Sequence, residues 1–126
     1  GDVLIDIEIK EKNTDICLDL ADMLDNYNGK FIISSFYPSV INWFKKKRPD
    51  YIIGLIMGVD FSSRLSFFDH YKYDFIAVAK GQVKFRRIQR KRRDGTIILT
   101  WTIQDNEEMS EYQNYSDSFI ANIRPD

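Results

Sequence analysis

An α/β fold with a parallel sheet is what this sequence predicts, and three observations predict it. Short runs rich in Ile, Val and Phe alternate with segments whose apolar residues recur at helical spacing. The stretches between successive apolar runs are long enough to be helical crossovers rather than hairpins. With 126 residues, 44% hydrophobic and 29% charged, the chain is long enough to bury a core and too balanced in composition to be disordered. That length suits one domain. It is too short for a complete (β/α)8 barrel, which takes about 250 residues.

The elements follow in order. Val3 to Lys10 alternates, with Val3, Ile5, Ile7 and Ile9 on one face and Leu4, Asp6, Glu8 and Lys10 on the other, which reads as a strand. Lys12 to Asp15 is polar punctuation, with Asn13 or Thr14 as the expected N-cap. Ile16, Leu20, Met23, Leu24 and Tyr27 mark a helix, and Gly29 stands where a terminal glycine belongs. Phe31–Ser35 is a second strand. Pro38 and Ser39 open a second helix with the stripe Val40, Ile41 and Phe44, and Arg48-Pro49 ends it. Tyr51–Met57 is a third strand, Ser62–Asp69 a short helix or turn, and Phe75–Val78 a fourth strand. Gln82–Arg93 is a helix closed by Asp94-Gly95, and Thr96–Ile103 a fifth strand rich in Ile, Thr and Trp. Asp105–Tyr112 is a helix with an acidic first turn, and Phe119–Ala121 a sixth strand, stopped by Pro125. No internal repeat or linker is visible in the sequence.

Several functions are excluded by composition. Cys17 is the single cysteine, so no disulfide forms within the chain and a secreted disulfide scaffold is ruled out. The longest apolar stretch, Ile52–Val59, falls far short of the roughly 20 residues of a spanning helix. No signal peptide opens the chain, and residue 1 is Gly rather than Met, which points to a cut N-terminus. A net charge of −1 argues against a dedicated nucleic-acid binder at the level of the whole chain.

Charged side chains on a strand of a parallel sheet need a reason, because both faces are usually buried. Glu8 and Lys10 stand at the carboxyl end of the first strand, where α/β folds bind ligands. A carboxylate there suits a hard cation, and an ammonium two residues on suits a phosphate oxygen. The alternative is an edge strand with a solvated face. Ser34 and Ser35 end the second strand in the same zone, where hydroxyls bind phosphate or cap the next turn. Trp101 lies in the last long strand, as a pocket wall or a core residue. The lone His70 has no partner in the spacing, and no phosphate loop or cysteine zinc site is present. Arg86, Arg87, Arg90, Lys91, Arg92 and Arg93 place six cations in eight residues with no acid among them. That segment reads either as the solvated face of an outer helix or as an anion-binding surface.

Taken together, several segments resemble the later part of the glycerophosphodiester phosphodiesterase family. They are Ile7-Glu8-Ile9-Lys10, Ile32-Ile33-Ser34-Ser35-Phe36-Tyr37-Pro38, Trp43-Phe44 with Arg48-Pro49, and Ile53-Gly54-Leu55. Asp74-Phe75-Ile76-Ala77, Trp101-Thr102-Ile103-Gln104-Asp105 and Asp117-Ser118-Phe119-Ile120-Ala121 continue the series in the family's order. The resemblance implies a partial (β/α)8 TIM barrel of about six strands. It implies a metal-dependent hydrolase that cleaves glycerophosphodiesters to an alcohol and glycerol 3-phosphate. By the same resemblance Glu8 matches a metal ligand, for Mg²⁺ or Ca²⁺, and Lys10 a catalytic lysine near the phosphate. Ser35 and Trp101 match substrate-binding positions. The Ser-Phe-Tyr-Pro stretch is similar to a bacterial branch that often carries an added membrane domain, implying a cytoplasmic or membrane-associated parent protein.

The family's opening H-R-G, E-x-D and H-D motifs, which supply its acid/base histidines and other metal carboxylates, are absent, and His70 matches neither histidine. Near the end, Ala121-Asn122-Ile123-Arg124-Pro125 replaces the family's I-T-D-x-P. Loss of general acid/base catalysis costs roughly 10²–10⁴-fold, so the expectation is a C-terminal portion with an incomplete metal site and little activity alone. The partners expected are a glycerophosphodiester, a missing N-terminal barrel portion or a second copy, and no nucleic acid. The competing expectation is a non-catalytic anion-binding or regulatory α/β domain that uses the 86–93 patch; length and alternation also suit a doubly wound receiver-like sheet, but Glu8-Ile9-Lys10 and Met57-Gly58-Val59-Asp60 match its acidic positions poorly.

Overall fold

Six strands, β1 (Leu4–Ile9), β2 (Lys30–Ser35), β3 (Ile53–Met57), β4 (Phe75–Ala79), β5 (Ile97–Ile103) and β6 (Ser118–Ala121), join in one sheet in the order of the sequence. Every neighbouring pair is parallel. The structure is a computed structural model that describes residues 4–58 and 72–121. The turn or helix expected over Ser62–Asp69, the lone His70, and Asn122–Pro125 lie outside the described residues.

The strand order separates the two architectures that the alternation leaves open. A doubly wound sheet reverses direction at a switch point. Here each strand is added on the same side of the last, so the sheet curls into a half-barrel. Helices α1 (Cys17–Asp25), α2 (Pro38–Lys47), α3 (Arg86–Arg93) and α4 (Asn106–Tyr112) stand between the strands in the chain. The main core lies between the sheet and these helices. Ile33, Leu55, Ile76, Val78 and Ile98 meet Ala21, Leu24, Val40, Phe44 and Ile88 there. Cys17 is fully buried in the same core as a packing residue, and burial pushes its thiol pKa up.

Strand pleating sends alternate residues to the other face. Ile32, Ile56, Phe75 and Ala77 form a second, smaller cluster with Phe36, Leu99, Trp101 and Ile120 packed against it. This is the concave face, the side that becomes the interior when such a sheet closes. Gly54 sits there because the Phe75 ring covers it, leaving no room for a Cβ.

Element ends differ from the sequence expectation where side chains found other partners. Neither Asn13 nor Thr14 caps α1, whose N-cap is Ile16 with no side-chain bond. Asn13 Oδ1 instead accepts the Asp15 amide at 2.8 Å and holds the preceding turn. Helix α1 ends at Asn26, so Gly29 lies beyond its terminus, beside the Tyr27 ring. Residues 80–85 are turn, so the helix expected from Gln82 begins at Arg86. Gly95, at φ 106°, closes it as expected. Asp105 caps α4 by accepting the Glu108 amide, and Glu108 reaches back to the Gln104 amide, both at 2.9 Å.

One device recurs that no sequence repeat announced. Asp74, just before β4, exchanges backbone and side-chain bonds with Ile53 and meets Lys45 at 2.5 Å. Asp117, just before β6, does the same with Ile98 and meets Arg92 at 3.1 Å. Each aspartate thus ties the entry of its strand to that of the preceding neighbour and to the covering helix. A separate clasp ties α1 to the end of α2. Arg48 reaches Asp22 and Asp25, and the Tyr51 hydroxyl shares its one proton between the Ala21 carbonyl and Asp25. The Tyr51 hydroxyl, then Arg48, hold the Asp25 carboxyl below its usual range. Desolvation, then the bond to Asp25, push Tyr51 up to about 12.

Candidate functional site

The concave face has its polar side chains at the carboxyl ends of the strands. In β1 the pleat turns Ile7 and Ile9 toward the helices, which leaves Asp6 and Glu8 on the concave side. In β2, Ser34 shares that side and stands in register with Glu8. Trp101 and Thr102 from β5, Ile120 from β6 and Phe36 beyond β2 complete a cavity of about 160 Å³ floored by Ile56 and Ala77. Its size suits a phosphate-sized polar group better than a large organic ligand, whose pockets run to roughly 300–1,000 Å³.

Trp101 is held in place rather than free to swing. Its indole N–H donates to the Ala77 carbonyl at 2.9 Å, leaving the ring as a flat apolar wall. The Ser34 hydroxyl donates to Asp6 Oδ1 at 2.9 Å. Because β1 is the sheet's edge, Asp6 is exposed as a residue, yet its carboxyl sits where the cavity meets an apolar hollow below. Desolvation raises its pKa, and the Ser34 bond offsets part of that rise.

The sequence-predicted site residues divide accordingly. Glu8 and Trp101, far apart in sequence, are brought into the same cavity wall. Lys10 lies one residue past the end of β1, exposed and not among the lining residues. Ser35 points the other way. It is fully buried, its hydroxyl donates to the Ile9 carbonyl at 3.0 Å and it accepts the Tyr37 amide at 3.0 Å. It caps the turn into α2, and the hydroxyl that faces the cavity is Ser34's. Asp6 received no role from the sequence, although its alternation with Glu8 was visible there.

Two carboxylates, Asp6 and Glu8, and two hydroxyl residues, Ser34 and Thr102, line the cavity, and its carboxylates by themselves repel a phosphodiester. Among the described residues no three His, Cys, Asp or Glu side chains gather to hold a metal ion. No helix of the described residues is long and apolar enough to cross a membrane.

No family model and no curated protein matches the sequence. Solved structures do. A glycerophosphodiester phosphodiesterase from Thermotoga maritima superposes with a TM-score of 0.68 at 15% identity, over 91% of this chain and 53% of that one. A protein from Silicibacter pomeroyi assigned as a glycerophosphoryl diester phosphodiesterase superposes at 0.65 and 12% identity, over 94% and 46%. The chain therefore has the fold of part of these barrels and spans about half the length of each.

Proposed function

We propose that this chain is the C-terminal portion of a metal-dependent phosphodiesterase that hydrolyses glycerophosphodiesters to an alcohol and glycerol 3-phosphate. The observation that carries the reading is the shared cavity of Glu8 and Trp101 at the carboxyl ends of parallel strands, on a fold like that of the glycerophosphodiester phosphodiesterases. In this reading Trp101 packs on the glycerol carbons, and Ser34 and Asp6 orient a hydroxyl group. Lys10 approaches a phosphate oxygen from the rim. Glu8 is one ligand of a Mg²⁺ or Ca²⁺ ion, with the other ligands supplied from outside the described residues.

A further strand-bearing segment completes the barrel in this reading. Its support is the apolar hollow of about 380 Å³ beneath the cavity, lined by residues such as Ile32, Phe75, Leu99 and Phe119. Closed barrels fill that space with layers of side chains. The chain alone then has little activity, because among the described residues no histidine lines the cavity to serve as the acid or base. Turnover of glycerophosphocholine with Mg²⁺ or Ca²⁺ tests this. Activity at least about 10²-fold below an intact barrel enzyme is expected, restored when an N-terminal portion is supplied. Turnover within about tenfold of the intact enzyme refutes the incomplete-site reading.

A further inference from the structure

Helix α3 carries a charge pattern that its own fold does not explain. Arg86, Arg90 and Arg93 recur at i, i+4 and i+7 and so share one stripe. Arg87 stands beside them, and all four are exposed. Among the described residues none of the four forms an ion pair. Their neighbours differ. Arg92 is spent on Asp117 and on the Asn114 and Ser116 carbonyls, and Lys84 lies over the Tyr112 and Tyr115 rings.

Cations at a helix C-terminus complement its dipole, which accounts for Arg93. It does not account for Arg86 and Arg87. They occupy the first turn, where cations are disfavoured, and α3 has no acid there and no side-chain cap. Arg86 and Arg90 also repel each other at i, i+4. Only Ile88 of this eight-residue helix is buried, so little within the fold offsets the repulsion. Directly before Arg86, Phe85 is 50% exposed in extended backbone, so the stripe is headed by an aromatic ring that reaches solvent.

We propose that the solvent face of α3 docks on the surface of an anionic phospholipid bilayer. The guanidinium groups take headgroup phosphates through their forked donors, and Phe85 enters the interfacial layer. A bilayer accepts a short flat patch with one apolar anchor at its end. A nucleic-acid face would show a longer basic track with aromatic rings interleaved along it, which this stripe lacks. The inference is independent of the phosphodiesterase reading, since the stripe belongs to a helix and lies outside the concave cavity.

The test is co-sedimentation with vesicles of phosphatidylcholine alone and of phosphatidylcholine mixed with phosphatidylserine, at low and physiological salt. Fluorescence anisotropy with a short DNA duplex runs in parallel. The chain is expected to bind the mixed vesicles, to ignore phosphatidylcholine alone, and to weaken as salt rises. Each arginine contributes about fivefold, so R86A/R87A/R90A/R93A is expected to lose on the order of several hundredfold, and F85A to weaken binding without changing its salt dependence. Circular dichroism checks the fold of each variant. If the quadruple variant unfolds, R86A/R90A and R87A/R93A carry the test, each with a loss of about 25-fold. Equal binding to both vesicle types, variants that bind like the parent, or tighter binding to the duplex than to the mixed vesicles overturns the proposal.

Discussion

Replacing Gly54 by Ala is a small change with a large expected effect, and the reason is purely spatial. Gly54 pairs with Phe75 across β3 and β4, and the Phe75 ring lies over its Cα. A methyl group placed there falls inside the ring. Its backbone φ is not positive, so alanine meets no conformational penalty and in fact gains about 0.4–1 kcal/mol from a less flexible unfolded chain. Against that stands overpacking, at about 1–3 kcal/mol. Phe75 is only 2% exposed, so its ring yields only toward the hollow it lines, at the cost of its contacts in the concave cluster. The overpacking therefore wins, and a net loss of about 1–2 kcal/mol is expected. Urea unfolding followed by circular dichroism measures it. A double-mutant cycle isolates the cause. Phe75→Ala alone costs about 3–5 kcal/mol, but it empties the space that the new methyl needs. Adding G54A to F75A is then expected to cost nothing further, giving a coupling of about 1–2 kcal/mol. If G54A alone matches the parent within about 0.5 kcal/mol, or if the two effects simply add, the packing argument is wrong.

Three further outcomes follow from the same structure. Because the Asp6 pKa is raised, its protonated form favours folding and that contribution is lost as pH rises through the folded value. Asp6→Asn, which still accepts from Ser34, is expected to raise the melting temperature at pH 7 and to leave it unchanged near pH 3; a variant less stable than the parent at pH 7 contradicts this. Tyr51, also raised, supports the fold below its ordinary value of 10.0 and loses that support as pH climbs toward about 12. The stability gap between the parent and Tyr51→Phe is expected to close over that range, as thermal melts at stepped alkaline pH will register. Asp117→Ala removes the acceptor of the Ile98 amide and the Arg92 partner together, an expected loss of about 1–3 kcal/mol. Chemical denaturation checks it, and a neutral result means that β6 does not depend on this tie.

Much of the fold is legible in the sequence, because it rests on local periodicity. The clean alternation of Val3 to Lys10 marks a strand with one polar face, and Pro38 marks the start of α2, where it stands at the first turn. Caps were less legible. Asn13 had a nearer partner in Asp15, and the competition between a turn and a helix end is decided by geometry rather than residue type. For the site, Glu8 stands out in the sequence as a carboxylate at the carboxyl end of a strand, although β1 proves to be the sheet's edge and Glu8 is exposed. Asp6 shares Glu8's face, and only its bond from Ser34 across the sheet gives it a place in the cavity wall.

Alternation, apolar runs and turn residues determined the α/β class and the six strands, and the single cysteine excludes any disulfide within the chain. Two matters belonged to the tertiary structure alone. One is the direction in which strands are added. Every crossover looks alike in sequence, and only the order β1 to β6 in the sheet distinguishes a curling half-barrel from a doubly wound sheet. The other is which serine faces the cavity. Phe31-Ile32-Ile33-Ser34-Ser35 is apolar on both faces until its end, so its pattern carries no phase. Pairing with β1 sets that phase, turning Ser34 toward Asp6 and Ser35 into the turn before α2. Neither choice is encoded in any one segment, because each is a relation between segments that exists only once the sheet has formed.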